Sequence, residues 1–414
     1  MAIEMKSLQV NGIKVPVIYE QSSQLPLFYV QLVFKGAGGV SNGKNLGLSD
    51  ITSSLLNEGT RELGVTRFSK KLEEKALSLS AGSGLETLSF TLSGMSVVQK
   101  DGIGFLKELL SSPNFTQKAL DKVKENSLVA ILEKESDYDY QASRALKSML
   151  FKGSALEFPL SGTQESIAKI TLKEVEKFYH QFINLNSLTL IVGGDMEFEK
   201  IANELENALK FLPQGKIITL KPIIANNAKQ IKHLIKETQQ AYIYFGAPLN
   251  VENLQKESAL IKVASFVLGG SGFGSRMMEE VRVKRGLAYS AVMRLSATRT
   301  QSVAQGYLQT SLKNEKEAQK LVQEVVNAFV KNGITKKELQ EAKKYLLGSE
   351  PLRNETLAQR LSTAFNNYYN GLPLDFNQQV LEEISKLTLE EVNHYIKAHQ
   401  EINQLSFAII TAEN

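Results

Sequence analysis

The sequence predicts an α+β fold built from two homologous domains, each a largely antiparallel sheet with helices packed on one face. Three observations carry that reading. The chain has 414 residues, more than one hydrophobic core ordinarily supports, so two domains of about 200 residues are expected. Its segments recur in order at an offset near half its length. Within each half, strands follow strands and helices follow helices, which favours an antiparallel-rich sheet over alternating βαβ units.

The recurrence is specific. Phe115-Thr116-Gln117-Lys118-Ala119-Leu120 is echoed 219 residues later by Ile334-Thr335-Lys336-Lys337-Glu338-Leu339. Ile170-Thr171-Leu172-Lys173-Glu174-Val175 is echoed 217 residues later by Leu387-Thr388-Leu389-Glu390-Glu391-Val392. In this second pair a Glu stands three residues after the Thr, the spacing of a capping box in which the two side chains satisfy free helical N–H groups. Leu188–Val192 and Leu405–Ile409, again 217 apart, read as buried strands. Val30–Ala37 resembles Ala241–Ala247, with Gly36 and Gly246 at the strand ends. A period this long signals a duplicated domain rather than a solenoid. Pro213, Gly215, Pro222, Asn226 and Asn227 break the periodic pattern, so the expected division is 1–212, a linker 213–227, and 228–414. Each half reads strand, strand, helix, strand, strand, helix, helix, strand.

Composition narrows the function. A formal charge of +4 with no Lys/Arg run argues against a nucleic-acid partner. No apolar run approaches the roughly 20 residues of a membrane helix, so no membrane insertion is expected. The absence of cysteine excludes disulfides, thiolate metal sites and cysteine nucleophiles. No secretory signal is visible, but Met1-Ala2 is compatible with a removed leader. A soluble protein is expected, in the cytoplasm or periplasmic (extracytoplasmic), both left open.

Gly47–Thr60 reads as a helix with a stop signal. Leu48, Ile51 and Leu55 make its buried stripe, Asp50 and Ser54 share the other face, and Gly59 serves as a terminator. Ser78–Gly84 is a small, glycine-containing strand. Gly269–Gly274 is a glycine-rich turn without the Gly-Lys-Ser/Thr of a P-loop. A helix from about Arg276 to Arg285 follows, capped by Gly286 and leading to a strand that carries Tyr289. The four histidines, His180, His233, His394 and His399, lie away from these segments and read as surface or packing residues.

Two of these segments resemble signatures of the pitrilysin-type (insulinase, inverzincin) metallopeptidases. Gly47–Thr60 is similar to the family's G-x-x-H-x-x-E-H-x-x-x-x-G-T helix, with glycine, leucines and the closing Gly-Thr in register. Asp50, Ser53 and Ser54 stand where the family has its two zinc-binding His residues and its catalytic Glu. A serine hydroxyl is a poor zinc ligand near neutral pH, and Ser53 cannot act as a general base. The family's third ligand falls near Ala130, with Glu125 and Glu133 the alternatives if the register slips. No metal is therefore expected in this chain. Leu268–Ser290 resembles the second-half signature G-G-x-x-S-R-L-x-x-x-V-R-x-K-x-G-L-A-Y-S, which assigns substrate holding to Arg282 and oxyanion stabilisation to Tyr289. In the family the Ser78–Gly84 position is an edge strand that pairs with substrate; here its small residues leave the edge available for backbone pairing but supply no Asn.

The resemblance implies a clamshell half: a metal-free, non-catalytic subunit, inert alone, that supplies Arg282 and Tyr289 to a homologous partner carrying the zinc and H-x-x-E-H. Mitochondrial processing peptidase and bacterial two-gene peptidases divide the work in this way. Extended peptides are the expected substrates, and a homodimer is an expectation for the chain alone. Two rivals remain open, a structural subunit like the core proteins of the respiratory bc1 complex and a chamber that binds peptides without cutting them.

Overall fold

A computed structural model of the chain describes residues 3–349 and 354–413. Two compact units divide it, each with its own sheet. The first sheet contains β1 (Glu4–Val10), β2 (Ile13–Gln21), β3 (Leu27–Lys35), β4 (Ser78–Ser83), β5 (Thr87–Met95) and β6 (Leu188–Gly194). Their spatial order is β1-β2-β6-β3-β5-β4. Only β2 and β6 run parallel; the other neighbours are antiparallel. The second sheet contains β7 (Ile223–Ile224), β8 (Ile231–Ile235), β9 (Gln240–Pro248), β10 (Ala288–Ala297), β11 (Gln301–Ser311) and β12 (Ser406–Thr411). Here the order is β10-β11-β9-β12-β8, with the short β7 added beside β11. Again β8 and β12 run parallel. Strand for strand, β2-β6-β3-β5-β4 repeats as β8-β12-β9-β11-β10, so the duplication read from sequence is a duplication of topology. The fold is α+β, as predicted.

The first half carries helices α1 (Leu48–Leu56), α2 (Gly64–Glu73), α3 (Gln99–Ser111) and α4 (Gln117–Ser136), then α5 (Tyr138–Leu150), α6 (Gln164–Lys169), α7 (Leu172–Phe182) and α8 (Phe198–Leu209). The second carries α9 (Leu254–Ser265), α10 (Arg276–Met278), α11 (Glu315–Asn332) and α12 (Lys336–Gly348), then α13 (Leu357–Tyr369), α14 (Phe376–Lys386) and α15 (Leu389–Ala398). Strand alternation decides which face they cover. In β3, Phe28, Val30, Leu32 and Phe34 join the first core; in β9, Ala241, Ile243, Phe245 and Ala247 join the second. The capping boxes form at Thr171/Glu174 and Thr388/Glu391, and also at Thr335/Glu338.

One feature is absent from the sequence pattern: the halves exchange a helix. α5, encoded in the first half, belongs to the second unit and packs on the sheet face opposite its main helix layer. The Tyr138 ring meets Tyr242 edge-on at 5.5 Å, and Asp139 accepts hydrogen bonds from Tyr244 Oη (3.0 Å) and Gln309 Nε2 (2.6 Å). Reciprocally, α13 belongs to the first unit. Its Arg360 grips the buried Glu20 of β2 through Nε (2.9 Å) and Nη2 (2.7 Å). Its Leu361 and Leu357 lie over Gly193 of β6, where a Cβ would come within 2.8 Å of Leu361. Each sheet thus has a helix layer on one face and a single borrowed helix on the other.

Candidate functional site

The degenerate motif sits on α1, whose Leu48, Ile51, Leu55 and Leu56 anchor it in the first core. Asp50 and Ser54 are half-exposed, while Ser53 is only 6% exposed. The Ser53 hydroxyl donates to the Asp50 carbonyl at 3.0 Å, a bond within its own helix that turns it away from chemistry. Ala130 lies exposed on α4, as do Glu125 and Glu133, the positions a slipped register would use. Among the described residues no three His, Cys, Asp or Glu converge to hold a metal ion. Two hydroxyls and one carboxylate on α1 are also the wrong donor set for zinc, which takes thiolate, imidazole and carboxylate ligands. Zinc does not fit this helix. Of the histidines, His233 reaches Glu315 (3.3 Å) and His399 reaches Glu401 (2.7 Å), both structural contacts within the second unit.

The neighbouring edge corrects an expectation. β4 is the outermost strand of its sheet, but its backbone is not free along its length. Asn57, just beyond α1, donates from Nδ2 to the Ala81 carbonyl (2.9 Å) and accepts the Ala81 N–H on Oδ1 (2.8 Å). A further bond from Nδ2 to the Ser53 carbonyl (3.1 Å) fixes the amide. An amide is the functional group of a peptide backbone, so Asn57 occupies at Ala81 the place an added strand would take. The sequence reading treated this edge as open because a lone Asn after a helix gives no sign of its partner 24 residues away.

The second-unit segment is built differently. At its base, Ser275 caps α10: its hydroxyl donates to the Gly272 carbonyl (2.8 Å) and accepts from Met278 N–H (3.4 Å). The helix then widens, with Lys284 N–H bonding the Glu279 carbonyl five residues back (2.9 Å), and ends where Gly286 adopts a left-handed φ of 61°. A bulge between Ala288 and Ala291 opens β10, where Tyr289 stands 82% exposed.

Most of the basic side chains here are matched with carboxylates. Arg276 binds Glu338 with two bonds (2.6 and 2.8 Å) and also donates to the Gly333 carbonyl (2.8 Å). Lys284 (2.6 Å) and Arg285 (2.7 Å) share Glu280, and hydrogen bonding to them holds that carboxyl below its ordinary range. Arg282 is the exception. Among the described residues it makes no ion pair, and its guanidinium carbon lies 4.3 Å from the Tyr289 ring centre and 4.7 Å from that of Phe273. The two residues singled out from sequence are therefore in contact, with a third, Phe273, that the sequence reading passed over.

Comparisons with known proteins identify the family. A family model described as the Peptidase M16 inactive domain matches residues 169–346, the span containing Arg282 and Tyr289. The Helicobacter pylori protein named "Non-peptidase homolog YmxG" is 46% identical over 403 residues, covering 97% of this chain and 93% of that one. A solved Pseudomonas fluorescens structure, described as a peptidase M16 inactive domain, superposes with a TM-score of 0.90 over 100% of this chain and 98% of its own, at 23% identity. A chain of the Candida albicans complex III2 structure shares the fold at a TM-score of 0.82 and 16% identity, over 99% of this chain and 96% of its own. The chain belongs to the M16 peptidase family, that of pitrilysin and insulinase.

Proposed function

We propose that this chain is the metal-free subunit of a heteromeric zinc peptidase, bringing Arg282 and Tyr289 to peptide bound at the H-x-x-E-H site of a homologous partner. The observation that carries the reading is the contrast in side-chain engagement. Ser53 and Asn57 of the degenerate region are turned inward to local bonds, whereas Tyr289 is exposed and Arg282 has no carboxylate partner among the described residues. Zinc in the partner would supply the activated water. This chain's share is electrostatic. The Tyr289 phenol donates to the scissile carbonyl oxygen as that oxygen gains negative charge, an interaction stronger in the transition state than in the ground state. Arg282 holds the extended peptide through its N–H donors. No zinc is assigned to this chain, and extended peptides are the substrate class.

The test is reconstitution with a zinc-bearing homologue. The chain alone should be inert, and the pair should cleave peptide. Tyr289→Phe should then lower kcat about 100-fold, as removal of an oxyanion donor does, with the pair still co-eluting on gel filtration. Turnover indifferent to both Tyr289→Phe and Arg282→Ala rejects the assignment. The second reading is a structural subunit, favoured by the likeness to a complex III2 chain; it predicts a stable assembly with no peptide turnover. Peptide affinity without turnover, with or without partner, would instead mark a binding chamber.

A further inference from the structure

Phe273 has no role in folding that the structure reveals. It is 69% exposed on the glycine-rich turn, outside either core cluster. Its turn nevertheless has a defined geometry. Gly272 (φ 69°) and Gly274 (φ 93°) flank it in backbone conformations that side-chain-bearing residues rarely adopt, and Ser275 closes the turn through its N–H (3.1 Å) and hydroxyl (2.8 Å) to the Gly272 carbonyl. The turn aims an aromatic ring outward, and what the ring meets is Arg282, at 4.7 Å from its centre. Tyr289 also contacts the guanidinium, at 4.3 Å.

A guanidinium interacts with aromatic rings through its charge and flat faces, while its five N–H donors lie in its own plane. Ring contacts therefore restrict the long side chain without consuming its donors. They also make it less costly to fix the side chain when peptide binds, because part of its rotamer freedom is already gone.

We propose that Phe273 is a positioning residue of this site, holding Arg282 beside Tyr289 with its donors available to peptide; this rests on the subunit reading above. Phe273 does not itself touch the reacting carbonyl. Its effect belongs on peptide binding, transmitted through Arg282.

In the assembled pair, Phe273→Ala should raise KM roughly three- to tenfold, the scale of one cation–π contact, with kcat changed by less than about twofold. Phe273→Tyr should restore KM, whereas Phe273→Leu, apolar but without a ring, should not. With Arg282 already changed to Ala, Phe273→Ala should add almost nothing. If Arg282→Ala leaves turnover untouched, this proposal falls, and the subunit reading falls with it when Tyr289→Phe is equally silent. If Arg282→Ala impairs the pair but Phe273→Ala is silent, or multiplies independently of it, the positioning role alone is overturned. A readout without the partner is also available because the chain contains no tryptophan. Phe273→Trp introduces a single indole whose emission should change when Arg282→Ala removes the stacked cation. Identical spectra in the two backgrounds overturn the contact in solution.

Discussion

The two units face the same structural problem at one sheet edge and handle it with different groups. In the first, α1 and the segment after it guard β4, and Asn57 supplies an amide that binds both backbone groups of Ala81. In the second, α9 and its widened helical continuation Phe266–Gly270 guard β10. The Ser265 hydroxyl accepts the Leu295 N–H at 3.0 Å, and Gly269 lies so close that a Cβ there would sit 2.4 Å from the Met293 nitrogen. Both edges are thereby shielded from unwanted strand pairing. The difference lies in what is left beyond the shield. Beside β4, the α1 motif positions are occupied by two hydroxyls and a carboxylate. At the start of β10 a bulge leaves Tyr289 in solvent beside Arg282. A duplicated framework has kept its topology in both copies, with different side chains presented at the corresponding edges.

The largest effect expected from breaking this contrast is the loss in kcat of the Tyr289→Phe pair described above. Next is Gly269→Ala. The clash is with backbone, not a yielding side chain, so we expect a loss of about 2–3 kcal/mol, read by urea unfolding. Its counterpart Asn57→Ala should cost only about 1 kcal/mol, because water can reach the freed Ala81 groups. Its sharper signature is faster amide exchange at Ala81; unchanged exchange would mean that the clip does not protect the edge.

Between these in size lies the Arg276–Glu338 pair beneath the glycine-rich turn. Burial raises the Glu338 carboxyl, but hydrogen bonds from Arg276 and from the Thr335 N–H outweigh it and hold the group below its ordinary range. A depressed carboxyl contributes fully above its unfolded pKa of about 4.3 and loses its contribution as pH falls through the folded value. Glu338→Gln should therefore cost about 1.5 kcal/mol near neutral pH, a figure reduced for partial solvent screening since the side chains are 20% and 21% exposed. The deficit should shrink below about pH 4. A deficit constant between pH 7 and pH 3 would show that the charge on Glu338 does not matter.

Much of the fold was legible because it is written locally. The Thr171/Glu174 and Thr388/Glu391 boxes need only four consecutive residues, and the buried strands at Leu188 and Leu405 need only a run of apolar ones. Arg282 and Tyr289 were found through a long in-register resemblance, and the structure adds that they touch. Contacts across distance were not legible. Nothing in the pattern of Tyr138–Leu150 says that it covers a sheet from the other half, since an amphipathic helix specifies that it must bury a face and not which face it meets. Asn57 and Phe273 escaped notice for the same reason. Each is ordinary in its own neighbourhood and gains its meaning from a partner brought in by the turn of the chain.

The borrowed helices also govern the order of assembly during synthesis. The strands of the first sheet are all made by Gly194, but α13, whose Leu361 lies over that sheet, begins only at Leu357. A nascent first half must wait, with that face of its sheet uncovered, for more than a hundred further residues to leave the ribosome. Expressing either half separately should give an aggregation-prone fragment, and supplying α13 as a peptide should rescue the first.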